Sequence, residues 1–268
     1  MTANLQSMLD GPVSPAQRVR DTLPPEVRDI VHRASELVRM RQLRLREAPL
    51  TTSVTGIDRM LGGGLPRGTL VELVGRGSCG RFASLLAALK MVTDTGEVAA
   101  LVDQGDQLDP QSAATVGIDL DRLLWLRPRV LPDALAAAET LVHTGFSLVA
   151  LDLGLPPVRG RTPLAAWLRL ARTAATHRAV VLVGSPYRLS GCAATVVVTA
   201  HQGRGTWSGT AGASRLLHGL EARLELARQR GQRPDGIART ALTLSEAAFE
   251  PAATPDPEEK EISHVQAR

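Results

Sequence analysis

The segment Val71–Leu89 reads VELVGRGSCGRFASLLAAL, and its glycines have a spacing that can do chemistry. Gly75 and Gly80 stand as in G-x-x-x-x-G-K-[ST], between a β-branched, apolar run and an Ala/Leu-rich one. In that motif a strand feeds a loop whose N–H groups, with the helix N-terminus behind them, cradle phosphates. The lysine reaches the β- and γ-phosphates and the hydroxyl holds Mg²⁺. Here both acting positions differ. Arg81 keeps the lysine's charge in a bulkier, planar form. Phe82 replaces the hydroxyl with a ring that offers Mg²⁺ no oxygen ligand.

Other reactive types are sparse. Cys79 and Cys192 are the chain's two cysteines, too few for a disulfide framework or a four-ligand zinc site. Cys79 would head a helix beside Arg81, surroundings that lower a thiol pKa; its small size suits a tight loop equally, and the second role is expected. The six histidines, from His32 to His264, show no metal-ligand spacing, so no metal or other cofactor is expected. Gly203-Arg204-Gly205-Thr206-Trp207 reads as a β-turn with an anchoring tryptophan, or as a partner contact through Arg204 and Trp207.

The elements that must position the glycine loop follow from apolar patterning. Runs rich in Val, Ile and Leu recur at 69–75, 97–103, 123–126, 147–152, 178–184 and 194–200. Ala/Leu-rich stretches at 80–93, 131–144 and 162–177 separate most of them. Near-continuous apolar strands alternating with helices predict an α/β fold, a mostly parallel sheet with helices on both faces. The period then changes to two. Leu220, Ala222, Leu224 and Leu226 alternate with Glu221, Arg223 and Glu225, which predicts an antiparallel strand, turning at 231–236 and returning over 237–245 as a C-terminal hairpin.

The flanks differ from this core. Residues 1–25 are rich in Gly and Pro and read as a flexible leader. Over 26–48 an N-terminal amphipathic helix is expected, with Val27, Ile30, Leu37 and Leu45 on one stripe and Arg41 interrupting it. That helix either packs on its own domain or docks a partner. Residues 49–250 form the expected core with its hairpin, and 251–268 an acidic, Pro-rich tail expected to be disordered.

Composition sets outer bounds. With 268 residues, 44% hydrophobic and 22% charged, the chain has the balance of a globular domain. No apolar run approaches the roughly 20 residues that span a bilayer, and the first residues lack a basic-then-apolar export pattern; a cytoplasmic protein without a membrane partner is expected. A net charge of +4 hints at nucleic acid, but seven aromatic residues are too few for a stacking platform.

The order TGIDRMLGGGLPRGTLVELVGRGSCGR (55–81) resembles the RecA family's approach to its ATPase core, and LVDQGDQLDPQSAATVGIDLDRLLWLRP (101–128) resembles the segment after its second core strand. Asp152, ending SLVALD, matches the Walker B aspartate. Within that superfamily the chain looks most like the ImuA family, with SulA-like division inhibitors as neighbours. The resemblance implies a RecA-like core over roughly 50–200. It also shows where this chain departs. Asp103-Gln104-Gly105 stands where RecA carries Asp-Ala-Glu, so the water-activating carboxylate is absent, and Asp106 could replace it only through a slipped loop. Gly184-Ser185-Pro186 stands at the polar sensor. Gly75, Gly80, Arg81 and Asp152 are then a vestigial nucleotide site, and no ATPase activity is expected.

The segments matching RecA's two DNA loops, 154–162 and 185–193, are short; Arg159, Arg161 and Arg188 in them are candidate phosphate contacts, weak at most, or ordinary surface arginines. The implied role is a non-catalytic accessory of SOS-induced error-prone translesion synthesis. Its partners would be RecA, ImuB and an error-prone C-family DNA polymerase, with self-association a further expectation. Val27, Ile30, Leu37, Arg41 and Leu45 are the candidate partner contacts. The alternatives are a weak ATPase or recombinase mediator and a SulA-like division inhibitor.

Overall fold

The computed structural model describes residues 48–158, 160, 163–208, 216–231 and 237–243. The expectations for the leader 1–25, for the stretch 26–46 with Val27, Ile30, Leu37, Arg41 and Leu45, for the tail 251–268, and for Arg159 and Arg161 lie outside the described residues.

The described elements run α1 (Thr55–Met60), β1 (Thr69–Val74), α2 (Arg81–Asp94), β2 (Ala99–Asp103), α3 (Pro110–Thr115), β3 (Leu123–Leu126), α4 (Leu131–His143), β4 (Leu148–Asp152), α5 (Leu164–His177), β5 (Val180–Ser185), β6 (Val196–Ser208), β7 (Leu216–Gln229) and β8 (Ile237–Thr243). The strands form one sheet in the order β3-β2-β4-β5-β1-β6-β7-β8. From β3 to β6 every pairing is parallel; β6–β7 and β7–β8 are antiparallel.

Continuous apolar strands fit here because both faces are covered. Leu101, Ala150, Leu182, Val71 and Val196 are register partners across five strands, and all join the core that packs Leu85, Leu89 and Val92 of α2. The alternate residues, among them Val149, Leu151, Val181 and Val183, face Leu135, Val142, Trp167 and Leu170 of α4 and α5. Burying each such aliphatic side chain stabilises the fold by roughly 1.5–3 kcal/mol. The apolar rows thereby fix the register, which brings the carboxyl ends of β1, β4 and β2 to one edge of the sheet. At the sheet's β3 margin the cover thins: Leu120 and Leu124 are about two-fifths exposed.

The C-terminal part corrects the sequence expectation. Gly203 to Trp207 is no β-turn; it lies inside β6, paired with β7. Its glycines serve space rather than turning. A Cβ on Gly203 would sit 2.7 Å from the Leu220 side chain, and one on Gly205 2.7 Å from the Trp207 indole nitrogen. β7 also starts at Leu216, earlier than the alternation from Leu220 suggests, and pairs with β6 as well as β8. Ala222, Leu224 and Leu226 turn inward as their alternation requires. No helix among the described residues is long and apolar enough to cross a membrane.

Candidate functional site

β1 ends at Val74 and the chain turns through Gly75–Gly80 into α2. Ser78 and Gly80 adopt left-handed backbone conformations, φ 58° and 80°, which curl the loop ahead of the helix. The Gly75 N–H donates to the Ser185 carbonyl and the Gly203 N–H donates to the Ser78 carbonyl, so strands on both sides hold the loop. Cys79 is buried, its thiol turned back onto Gly75, where a Cβ would come within 2.5 Å of the sulfur. Phe82 is partly buried and packs on the α2 side of the core.

Arg81 folds into the space this loop encloses. It is 7% exposed. Its Nη1 donates to the Gly75 carbonyl at 2.6 Å and its Nη2 to the Gly154 carbonyl at 2.6 Å. The same Nη2 stands 3.5 Å from Asp152 Oδ1, longer than the roughly 2.7–2.9 Å of a strong charge-assisted bond. The two carbonyls are therefore the tight partners and the carboxylate a looser one. The pocket that remains beside Arg81 holds about 210 Å³.

Asp152, at the end of β4, is fully buried. Burial pushes its carboxyl up to about 6, Arg81 pulls it back, and the nearby Asp103 charge pushes it up again. Its Oδ2 and the Arg81 Nε are buried without a hydrogen-bond partner. Asp103 is its register partner on β2 and is spoken for: it accepts from the Gln107 and Leu108 N–H groups and from the Trp125 indole. Gly105 follows, with its Cα packed on Gly154. A Cβ there would lie 2.6 Å from the Gly154 Cα.

Asp106 is engaged elsewhere. Its two carboxylate oxygens are engaged by Arg127 Nε and Nη2 at 2.6 and 2.7 Å, and that guanidinium lies 5.1 Å from the centre of the Trp125 ring. The bond from Arg127 holds the Asp106 carboxyl below its usual range. This pair lines a separate cleft of about 690 Å³ with Arg129, Leu153 and Pro157.

The loop after β5 is fixed by a residue that the sequence reading passed over. Glu72, fully buried in the middle of β1, accepts from the Ser185 hydroxyl, the Leu189 N–H and the Ser190 hydroxyl. The signal was present: a lone carboxylate in a strand buried on both faces must be paired. Arg188 is exposed on this loop, and Tyr187 beside it accepts a hydrogen bond from the Val158 N–H, joining the loops after β4 and β5. The structure thus brings Gly75, Gly80, Arg81 and Asp152 together and leaves Arg188 at the surface. Among the described residues no group of three or more His, Cys, Asp or Glu side chains could hold a metal ion.

Comparison with known proteins places this geometry. Residues 36–153 match the family described as RecA N-terminal domain. Protein RecA of Synechococcus elongatus is 37% identical over 110 residues, and that of Nostoc punctiforme 36%; each alignment covers 41% of this chain and 31% of the relative. The chain thus matches about a third of the length of these curated relatives. The crystal structure of the RadB recombinase superposes with a TM-score of 0.52 at 18% identity, covering 71% of this chain and 94% of that one, a likeness of fold. Over residues 36–153 the chain is similar in sequence to RecA, and its fold is like that of RadB.

Proposed function

We propose that this chain is a non-catalytic, RecA-like accessory protein of SOS-induced error-prone translesion synthesis. In this reading it binds RecA, ImuB and the C-family polymerase, and it restrains RecA-mediated recombination. One observation carries the reading: within a retained RecA-like core, Arg81 itself fills the loop and reaches Asp152. Phosphoryl transfer needs a positioned Mg²⁺, a cation on the phosphates and an oriented water. The hydroxyl has become Phe82, the carboxylate position is Gly105, and the cation is turned inward. Each preorganised element removed typically lowers rate by about 10²–10³.

With the chemistry gone, surfaces carry the function. The helix expected from the spacing over 26–46 would present an apolar stripe with Arg41 in phase, suited to a groove with a carboxylate at its edge. The β3 margin with Leu120 and Leu124 offers a sheet edge to which an extended segment can add. Arg188 gives a weak contact to DNA phosphates.

The test is a RecA strand-exchange assay with the full chain added in stoichiometric amount, alongside capture of RecA and ImuB. Slowed exchange and retention of both proteins are expected. Arg41→Glu weakens RecA association by about 2–5 kcal/mol without unfolding the chain. Exchange that runs unchanged with neither partner retained overturns the reading, and ATP turnover that vanishes in Asp152→Ala replaces it with an enzyme.

A further inference from the structure

We propose that the pocket behind the glycine loop is a guanidinium site, occupied in cis by Arg81, and that this occupant clasps the β1–α2 loop to the loop after β4. The inference concerns the same pocket as the reading above but rests on no partner.

The groups that meet Arg81 are acceptors. The Gly75 carbonyl comes from one loop, the Gly154 carbonyl from the other, and Asp152 Oδ1 from the strand between. Two carbonyls and a carboxylate around one cavity favour a cation that donates in several directions. They disfavour a phosphate, whose oxygens need donors. A guanidinium offers donors in a rigid plane, and here its two terminal nitrogens bond carbonyls on different segments, six residues before Arg81 and 73 after it. An ammonium in the same place is a point charge whose donors all leave from one nitrogen, without the fork that here bonds each carbonyl through its own nitrogen. Burial makes the span matter: at 7% exposure little water competes for these carbonyls while Arg81 is in place, and losing both bonds destabilises the closed arrangement.

The space between the loops has no other shape to fall back on. Gly154 has φ 69°, a left-handed conformation, and lies with its N–H and Cα against Gly105, so the carbonyl aimed at Arg81 is presented by a backbone wedged from behind. On the other side Gly75 is wedged between Cys79 and Ala200. Two carbonyls held on separate loops are what a forked cation can join. Nothing in this arrangement calls for nucleotide to hold the loops in place.

Arg81→Ala removes the occupant and leaves its acceptors. The expected results are faster amide exchange over residues 75–82 and 153–158, and partial reversal by methylguanidinium at concentrations well below denaturing. In the variant this ligand raises the melting temperature by about 2–4 °C, and in the wild-type chain it does not. Methylammonium, with the charge but no fork, gives no such rise. If Arg81→Ala does not fold, Arg81→Lys carries the test, and its loops exchange faster than wild type. The proposal is overturned if methylguanidinium shifts variant and wild type alike, if Arg81→Lys exchanges like wild type, or if Mg-ATP binds the wild-type chain and displaces Arg81. Failure to bind RecA would sink the accessory reading and leave this one standing.

Discussion

A single carbon added to Gly105 would lie 2.3 Å from Asp152 Oδ2, a closer approach than real Cβ atoms make. A side chain at this position therefore has no room, because the Asp152 carboxylate at the end of β4 occupies the space. Gly154 supplies the second wall, and it is backbone, which cannot rotate away.

Gly105→Ala is expected to lower stability by about 1–3 kcal/mol, the usual range for forcing atoms into a packed site. Gly105→Glu loses at least as much and adds a second charge beside a buried carboxyl. It restores no ATP turnover. Urea denaturation and phosphate release check both halves, and a Gly105→Glu variant as stable as wild type would contradict the packing.

Asp152 makes stability depend on pH in an unusual direction. Its carboxyl titrates near 6 when folded and near the ordinary 3.8 when unfolded, because burial disfavours the charge. Below about pH 4 both states hold the proton. Between about 4 and 6 the folded chain holds it and the unfolded chain does not, so this group's contribution to stability falls as pH rises, by on the order of 3 kcal/mol in full. Asp106 and Asp109 shift oppositely, through bonds from Arg127 and Ser112, so the wild-type curve is a mixture. The difference between wild type and Asp152→Asn isolates the effect: the wild type gains relative to the variant as pH drops from about 6 to 4. A flat difference would mean that Arg81 neutralises the carboxylate fully.

Much of the architecture was legible because it rests on periodicity. The run at 123–126 became β3 residue for residue, and the alternation of Ala222, Leu224 and Leu226 gave an antiparallel strand with those three side chains inward. Gly75, Gly80 and Arg81 were singled out by type and spacing and Asp152 by resemblance, and the fold brings them together around the Arg81 side chain. What spacing does not carry is direction. Nothing in the sequence says that Arg81 bends back to Gly75 and Gly154 rather than out to a ligand, since that depends on carbonyls brought together by β1 and β4. Gly203 and Gly205 misled for a related reason. Glycine signals a turn when its conformational freedom is used, but here its lack of a side chain is used, by Leu220 and Trp207 across and along the ribbon. Helices α1 and α3, six residues each, are too short for a readable period.

Restoring the motif's letters should not restore its chemistry. In Arg81→Lys with Phe82→Thr, the loop regains a lysine and a hydroxyl, yet Gly105 still offers no carboxylate and Asp103 remains tied to Gln107, Leu108 and Trp125. Phosphate release stays at background in this double variant. Turnover above background that Asp152→Ala abolishes would show that a group outside this set activates water.

Glu72 sets how firmly Arg188 is presented. Its carboxylate gathers Ser185, Leu189 and Ser190 from below, so the loop after β5 hangs on one buried side chain. Glu72→Ala leaves those donors buried and unpaired and is expected to lower stability by about 2–5 kcal/mol. Glu72→Gln keeps one good acceptor, turns an amide N–H₂ toward donors, and falls between. Trypsin reads the local effect directly, because it cuts after the exposed Arg188 when the loop detaches from β1. Cleavage there should quicken from wild type to Glu72→Gln to Glu72→Ala, faster than cutting at Arg129, which lies on the far side of the sheet's edge outside Glu72's reach. Equal cleavage in all three would mean that the Tyr187–Val158 contact alone holds the loop, and that the carboxylate in β1 is not its anchor.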